Sequence, residues 1–290
     1  MDAPDAAAMT ATAPDLAVVP TRHPAVSGTF YPSLPGRLRA DLREYLARDD
    51  APRRALGVVA PHPALVYGGP VAGAVFGAVV VPDTVVVLAP NHTGRSTSLE
   101  GGSILLSRAY RTPLGDLPPD RELGERLLER AGSLVVEDMV AHSQEHGVEV
   151  LLPFLQMRNR DVRIVPLVIG WRDWSRSRAL AGALVEAIGD RDVLVVASSD
   201  LSHYETAADA EAKDAILIEA IVALDGEALA RAVAIESISM CGVAPVAVAC
   251  EYARLRGAAG GELVSYGHSG IVTGDVERVV GYAGVLLRAE

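Results

Sequence analysis

Four nearly unbroken aliphatic runs, at residues 56–60, 84–88, 162–169 and 192–197, constrain this chain more than any other feature. Each is rich in Val, Leu and Ile and does not alternate with polar residues. A strand buried on one face alternates, whereas a strand covered on both faces reads as a continuous apolar run. Helix-like patterns separate the runs, at 34–49, 69–80, 121–131, 144–157, 174–188, 207–224, 226–234 and 243–256. Two later strands are expected at 263–266 and 279–287. This alternation predicts an α/β fold, a single domain with a mostly parallel central sheet flanked by helices. No repeat of fixed period and no Pro/Gly/Ser-rich linker divides it. The domain is expected over 21–290, after a disordered tail at 1–20 rich in Ala, Pro, Asp and Thr.

Composition narrows the function classes. Half of the 290 residues are hydrophobic, enough for a large aliphatic core. The formal net charge of −11 argues against nucleic acid and anionic membranes as partners, since both need basic surfaces. The chain lacks the long apolar run of a membrane span. Its start, Met1-Asp2-Ala3-Pro4-Asp5, lacks the features of a secretory signal, so a cytoplasmic protein is expected. The two cysteines, Cys241 and Cys250, cannot build a disulfide scaffold. Thiol or metal chemistry is the more natural use of a cysteine in that setting.

Polar chemistry gathers just after the strands. The first run leads into Ala60-Pro61-His62, the second into Ala89-Pro90-Asn91-His92, and the fourth into Ser198-Ser199-Asp200-Leu201-Ser202-His203-Tyr204. Open α/β sheets bind ligands at the carboxyl ends of their strands. One such histidine reads as a loop residue satisfied by a local hydrogen bond, but three arriving at one sheet edge suggest a pocket. Cys241 precedes the helix expected at 243–256, where amide groups would favour a thiolate. Cys250 falls among Val246, Val248 and Ala249 and reads as a buried hydrophobe. Two imidazoles and a thiolate would make an open three-ligand site suited to iron, copper or zinc and poorly suited to magnesium or calcium. Asp200 reads either as an N-cap or as a partner that orients an imidazole. His203 has the ordinary pKa of an acid–base catalyst. The His142/His146 spacing suits a helical metal clamp, but Ser143 occupies the position where a zincin carries Glu. His146 and Glu145 are therefore placed in the pocket wall. The Gly68-Gly69-Pro70 turn offers backbone amides to an anion, a weak signal.

These motifs resemble the Memo family, also called AmmeMemoRadiSam system protein B. The resemblance rests on Pro24 to Pro32, Ala60-Pro61-His62, Ala89 to Gly94, Glu145 to Leu155, Ser198 to Tyr204, Cys241-Gly242, and the tail around Gly270 to Asp275 and Val280 to Ala283. It implies a fold similar to class III extradiol dioxygenases, with His62, His92 and Cys241 as metal ligands. It also implies His203 and Asp200 as the catalytic pair, and His146, Glu145, Asn91 and Tyr204 as substrate-binding residues. The cofactor implied is Fe(II) or copper, with zinc as a further option, in a redox protein acting on an unknown small molecule or peptide. The other implied role is a peptide- or protein-binding module that uses the same cleft without chemistry. Relatives accompany radical-SAM and AMMECR1-like proteins, which implies a functional association. The chain departs from the pattern at Pro63-Ala64, where relatives carry Ala-Gly, and at Leu151-Leu152, where Gln usually precedes Leu-Pro-Phe.

Overall fold

The aliphatic runs form the centre of a nine-stranded sheet in the computed structural model, which describes residues 20–47, 51–98 and 101–289. The tail expected at 1–20 lies, Pro20 apart, outside the described residues. In chain order the strands are β1 (Thr21–Arg22), β2 (Ala55–Ala60), β3 (Thr84–Pro90), β4 (Gly102–Ile104), β5 (Ala109–Thr112), β6 (Gly115–Leu117), β7 (Val135–Glu137), β8 (Arg163–Ile169), β9 (Val193–Ser198), β10 (His203–Glu205), β11 (Gly261–His268) and β12 (Val279–Arg288). The helices are α1 (Pro35–Tyr45), α2 (Leu65–Ala78), α3 (Arg121–Ala131), α4 (Met139–His142), α5 (Leu152–Arg158), α6 (Trp174–Ile188), α7 (Ala207–Val222), α8 (Gly226–Ile235), α9 (Val243–Leu255) and α10 (Gly270–Thr273).

The large sheet runs β10-β12-β2-β9-β3-β8-β4-β7, with β11 also paired to β12. Its heart, β2-β9-β3-β8, is parallel, as the continuous apolar runs require. The flanks are mixed: β12 joins β2, and β4 joins β8, antiparallel. Strand alternation sends successive side chains to opposite faces. Val86 and Leu88 enter a core that includes α3, α6 and α9 residues, while Val85, Val87 and Ala89 enter a second core with α1, α2 and α5 residues. Both faces are thus dry, and function is left to the sheet edge. A separate small sheet, β1-β5-β6, ties the start of the described chain to the region after β4.

Two expectations need correction. The stretch 144–157 is not one helix: α4 ends at His142, a 3-10 turn covers Glu149–Leu151, and α5 begins at Leu152. The residues between carry site chemistry instead. The Gly68-Gly69-Pro70 stretch is no open turn, because it lies inside α2, where the Gly68 amide donates to the Ala64 carbonyl. A Cβ on Gly68 would stand 2.5 Å from Pro63 Cγ, and one on Gly73 2.4 Å from the Tyr45 carbonyl oxygen. Those glycines let α2 approach its neighbours closely. Among the described residues, no helix is long and apolar enough to cross a membrane.

Candidate metal centre

Register brings the first histidine to its partners. β2 and β9 run side by side with Ala60 opposite Ser198, and the Ser199 amide continues the ladder to the Ala60 carbonyl. His62, two residues beyond the strand, therefore meets the end of β9. Its backbone amide donates to Asp200 Oδ1 at 2.9 Å, and its Nδ1 lies 2.7 Å from Ser198 Oγ. The Ser198 hydroxyl has one proton, and gives it to the Gly147 carbonyl at 2.6 Å. Ser198 can then only accept from His62, so Nδ1 carries the imidazole proton and Nε2 presents its lone pair on the side of Cys241 Sγ. Burial holds the His62 pKa well below its ordinary value, and the neighbouring His92 and His146 push it the same way. The ring is neutral and ready to ligate.

His92 follows β3 and is oriented by a carboxylate. Glu145, fully buried, accepts from the His92 amide through Oε2 and from Nδ1 through Oε1, both at 2.7 Å. The His146 and Gly147 amides also donate to Glu145 Oε1, each at 2.8 Å. Burial would raise the Glu145 pKa, but the hydrogen bonds and the charges of the rings prevail and hold it below the usual carboxylate range. An ionised Glu145 holds a proton on His92 Nδ1, so Nε2 is the ring atom placed to ligate. His146, from the same short segment, stacks its ring on His92 at 4.4 Å between centroids. Ligand atoms of His62, His92 and His146 lie within 4.8 Å of one another, and His92 is the most exposed of the three. Orientation of ligating imidazoles by buried carboxylates and hydroxyls is the usual outer layer of metal sites. The donor set therefore fits a transition metal.

Cys241 stands beside this group. Its Sγ is 3.4 Å from His62 Nε2 and accepts from the Asp200 amide at 3.2 Å. The helix start does not produce the thiolate expected from sequence. Burial first, and then the Asp200 carboxylate, push the thiol up to about 12. Cys250 is buried in the core, as its apolar neighbours suggested. Asp200 caps no helix, the N-cap of α7 being Thr206. Its carboxyl is buried, which raises its pKa to about 7 against the opposing pull of the His62 amide and the His92 charge. His203 donates from Nδ1 to the Leu201 carbonyl at 2.8 Å, so its Nε2 is free. Burial lowers its pKa, opposed by the backbone bonds to Leu201 and Ser239.

Asp200, His203, Tyr204 and His146 share the lining of one cavity of about 490 Å³. Glu145, expected in the wall, lies beneath His92 instead. Asn91 spends its amide inside its own loop, donating to the Arg95 carbonyl and accepting from Thr93 Oγ1. Behind the loop sits a buried ion pair that sequence reading missed. Arg22 pairs with Glu149 and also donates to the carbonyls of His142 and Glu145. Glu149 further accepts from the amides of Ala25 and Val26 and from the Tyr31 hydroxyl.

His142 faces away from the pocket. The Tyr110 hydroxyl meets its Nδ1 at 2.7 Å, and its Nε2 donates to the Ser103 carbonyl at 3.0 Å. Burial lowers its pKa to about 4; the Ser103 bond opposes this and the Arg22 charge adds to it. Below its unfolded value near 6.5, the unfolded chain gains a proton that the folded state refuses until about pH 4. The stability advantage of the wild type over His142→Gln should therefore shrink by on the order of 3 kcal/mol as pH falls from 7.5 to 4. Urea unfolding of both proteins at stepped pH checks this, and a pH-independent difference would refute it.

Comparison with known proteins adds the lineage. Residues 22–286 match the family model described as Memo-like protein. A MEMO1 family protein of Methanopyrus kandleri is 38% identical over 286 residues, covering 92% of this chain and 99% of its own length. One from Methanosarcina barkeri is 37% identical, with 92% and 99% covered, and one from Aquifex aeolicus is 37% identical, with 91% and 98% covered. Among solved structures, an uncharacterized protein of Escherichia coli K12 shares the fold with a TM-score of 0.51 at 15% identity, over 79% of this chain and 99% of that one.

Proposed function

The chain belongs to the Memo family, and we propose that it is a metal-dependent redox protein that holds iron or copper at His62, His92 and His146. One observation carries the reading: three imidazoles converge, and two of them are held through Nδ1 by partners that turn Nε2 toward the shared space. Cys241 Sγ joins the set once its proton is displaced, since a coordinated thiol ionises outright. A metal ion held by these residues would supply Lewis-acid and one-electron chemistry beside the cavity that His146 lines. His203 Nε2 takes up a proton from the ligand, and the Asp200 carboxyl, poised near neutrality, gives or receives one at the same wall.

Elemental analysis of anaerobically purified protein tests this. About one iron or copper per chain is expected, lost in the His92→Ala variant. Zinc alone at full occupancy would refute the redox role while leaving a metal site. Ser198→Ala removes the acceptor that fixes the His62 tautomer, and should weaken metal affinity by about 10–100-fold. Competition titration against a chromophoric chelator measures it, and unchanged affinity would show that Ser198 does not orient the ligand.

A further inference from the structure

The cavity beside the histidines has a composition unlike the rest of the chain. Only thirteen residues are aromatic (three Phe, eight Tyr and two Trp), yet Phe30, Tyr67, Tyr204 and Tyr282 all line this one space. Its lining contains a single Arg or Lys, Arg278, together with His146, His203 and Asp200. The Arg278 guanidinium lies over the Tyr204 ring, 5.5 Å from its centroid. Tyr204 itself adopts φ 61°, a left-handed conformation that is rare for a bulky residue and is retained where function uses it. That strained backbone presents the ring as a platform for Arg278.

We propose that the cavity binds a one-ring aromatic carboxylate, with Arg278 as the residue that selects its charge. This rests on the reading of the adjoining histidines as the reaction centre. Aromatic walls favour a flat ring through offset and edge-to-face contacts. A guanidinium offers two parallel donors to a carboxylate, and one already stacked on tyrosine loses less freedom on binding. In a chain of net charge −11 the long-range field repels anions, so a local cation must decide for one. A cavity of about 490 Å³ accommodates a single ring with its substituents and falls within the usual size range of small-ligand pockets.

The test is a ligand-observed NMR titration of the full chain with benzoate, cyclohexanecarboxylate and benzyl alcohol. It is run on chelator-treated protein and on protein loaded with Zn(II). Benzoate should bind about tenfold or more tightly than the saturated acid or the uncharged alcohol. Arg278→Gln should lower benzoate affinity about tenfold and leave benzyl alcohol unchanged, while Arg278→Lys restores part of the loss. Thermal melts of both variants matching the wild type would tie the effect to recognition, since Arg278 is exposed. Equal binding of benzoate and cyclohexanecarboxylate, an Arg278→Gln variant that binds benzoate normally, or no saturable binding would each overturn the proposal. Zn(II) binding without benzoate binding sinks this inference alone. Arg278-dependent benzoate binding without Zn(II) binding sinks the metal assignment and leaves the pocket's specificity standing.

Discussion

Alanine in place of His62 is expected to lower metal affinity by more than about 100-fold, beyond the 10–100-fold that loss of an outer partner costs. His62 is the buried member of the trio, and its ring lies 4.8 Å from that of His92 and 5.3 Å from that of His146. Its removal also deprives Cys241 of its nearest imidazole and leaves the Ser198 hydroxyl without the donor it serves. Folding should survive, because the His62 backbone amide still reaches Asp200. Competition titration with Zn(II), alongside a thermal melt of the metal-free variant, checks both halves. Near-wild-type affinity in a folded variant would remove His62 from the ligand set.

Breaking the buried ion pair should produce the largest loss of stability. Glu149→Gln leaves the Arg22 guanidinium, 1% exposed, without its counter-charge. Uncompensated buried charges of this kind cost about 3–5 kcal/mol. That is a large share of the roughly 5–15 kcal/mol by which domains are stable. Arg22→Met should also destabilise, since the carbonyls of His142 and Glu145 lose their donor. The double variant should recover part of the sum, with a coupling of about 1 kcal/mol or more. Urea unfolding of all four proteins measures the cycle. Strict additivity would mean that the two side chains do not act as a unit. The same pair should matter to the site, because Arg22 holds the segment that delivers Glu145 and His146.

The parallel heart of the sheet was legible because burial on both faces writes itself as uninterrupted Val and Leu. His62, His92, Asp200 and His203 were legible because each stands a few residues past such a run. His146 was harder to place. Its stretch carries helix-like spacing, but the Glu145 carboxylate takes the amides of His146 and Gly147, and the segment stays open between two short helices. Arg22 and Glu149 are 127 positions apart, and nothing local marks them as partners. Ser198 shows the same limit: an unremarkable residue at a strand end sets a tautomer only because the Gly147 carbonyl lies on its other side. The strands β1, β5 and β6 are two to four residues long, too short for periodicity to register.

The central claim is that His62, His92 and His146 surround one ion. Anomalous difference density from crystals grown with Zn(II), collected on both sides of the zinc edge, tests it most directly. A single peak is expected about 2.0–2.1 Å from a ring nitrogen of each of the three histidines. A peak held elsewhere, or none at full Zn(II) loading, would contradict the assignment.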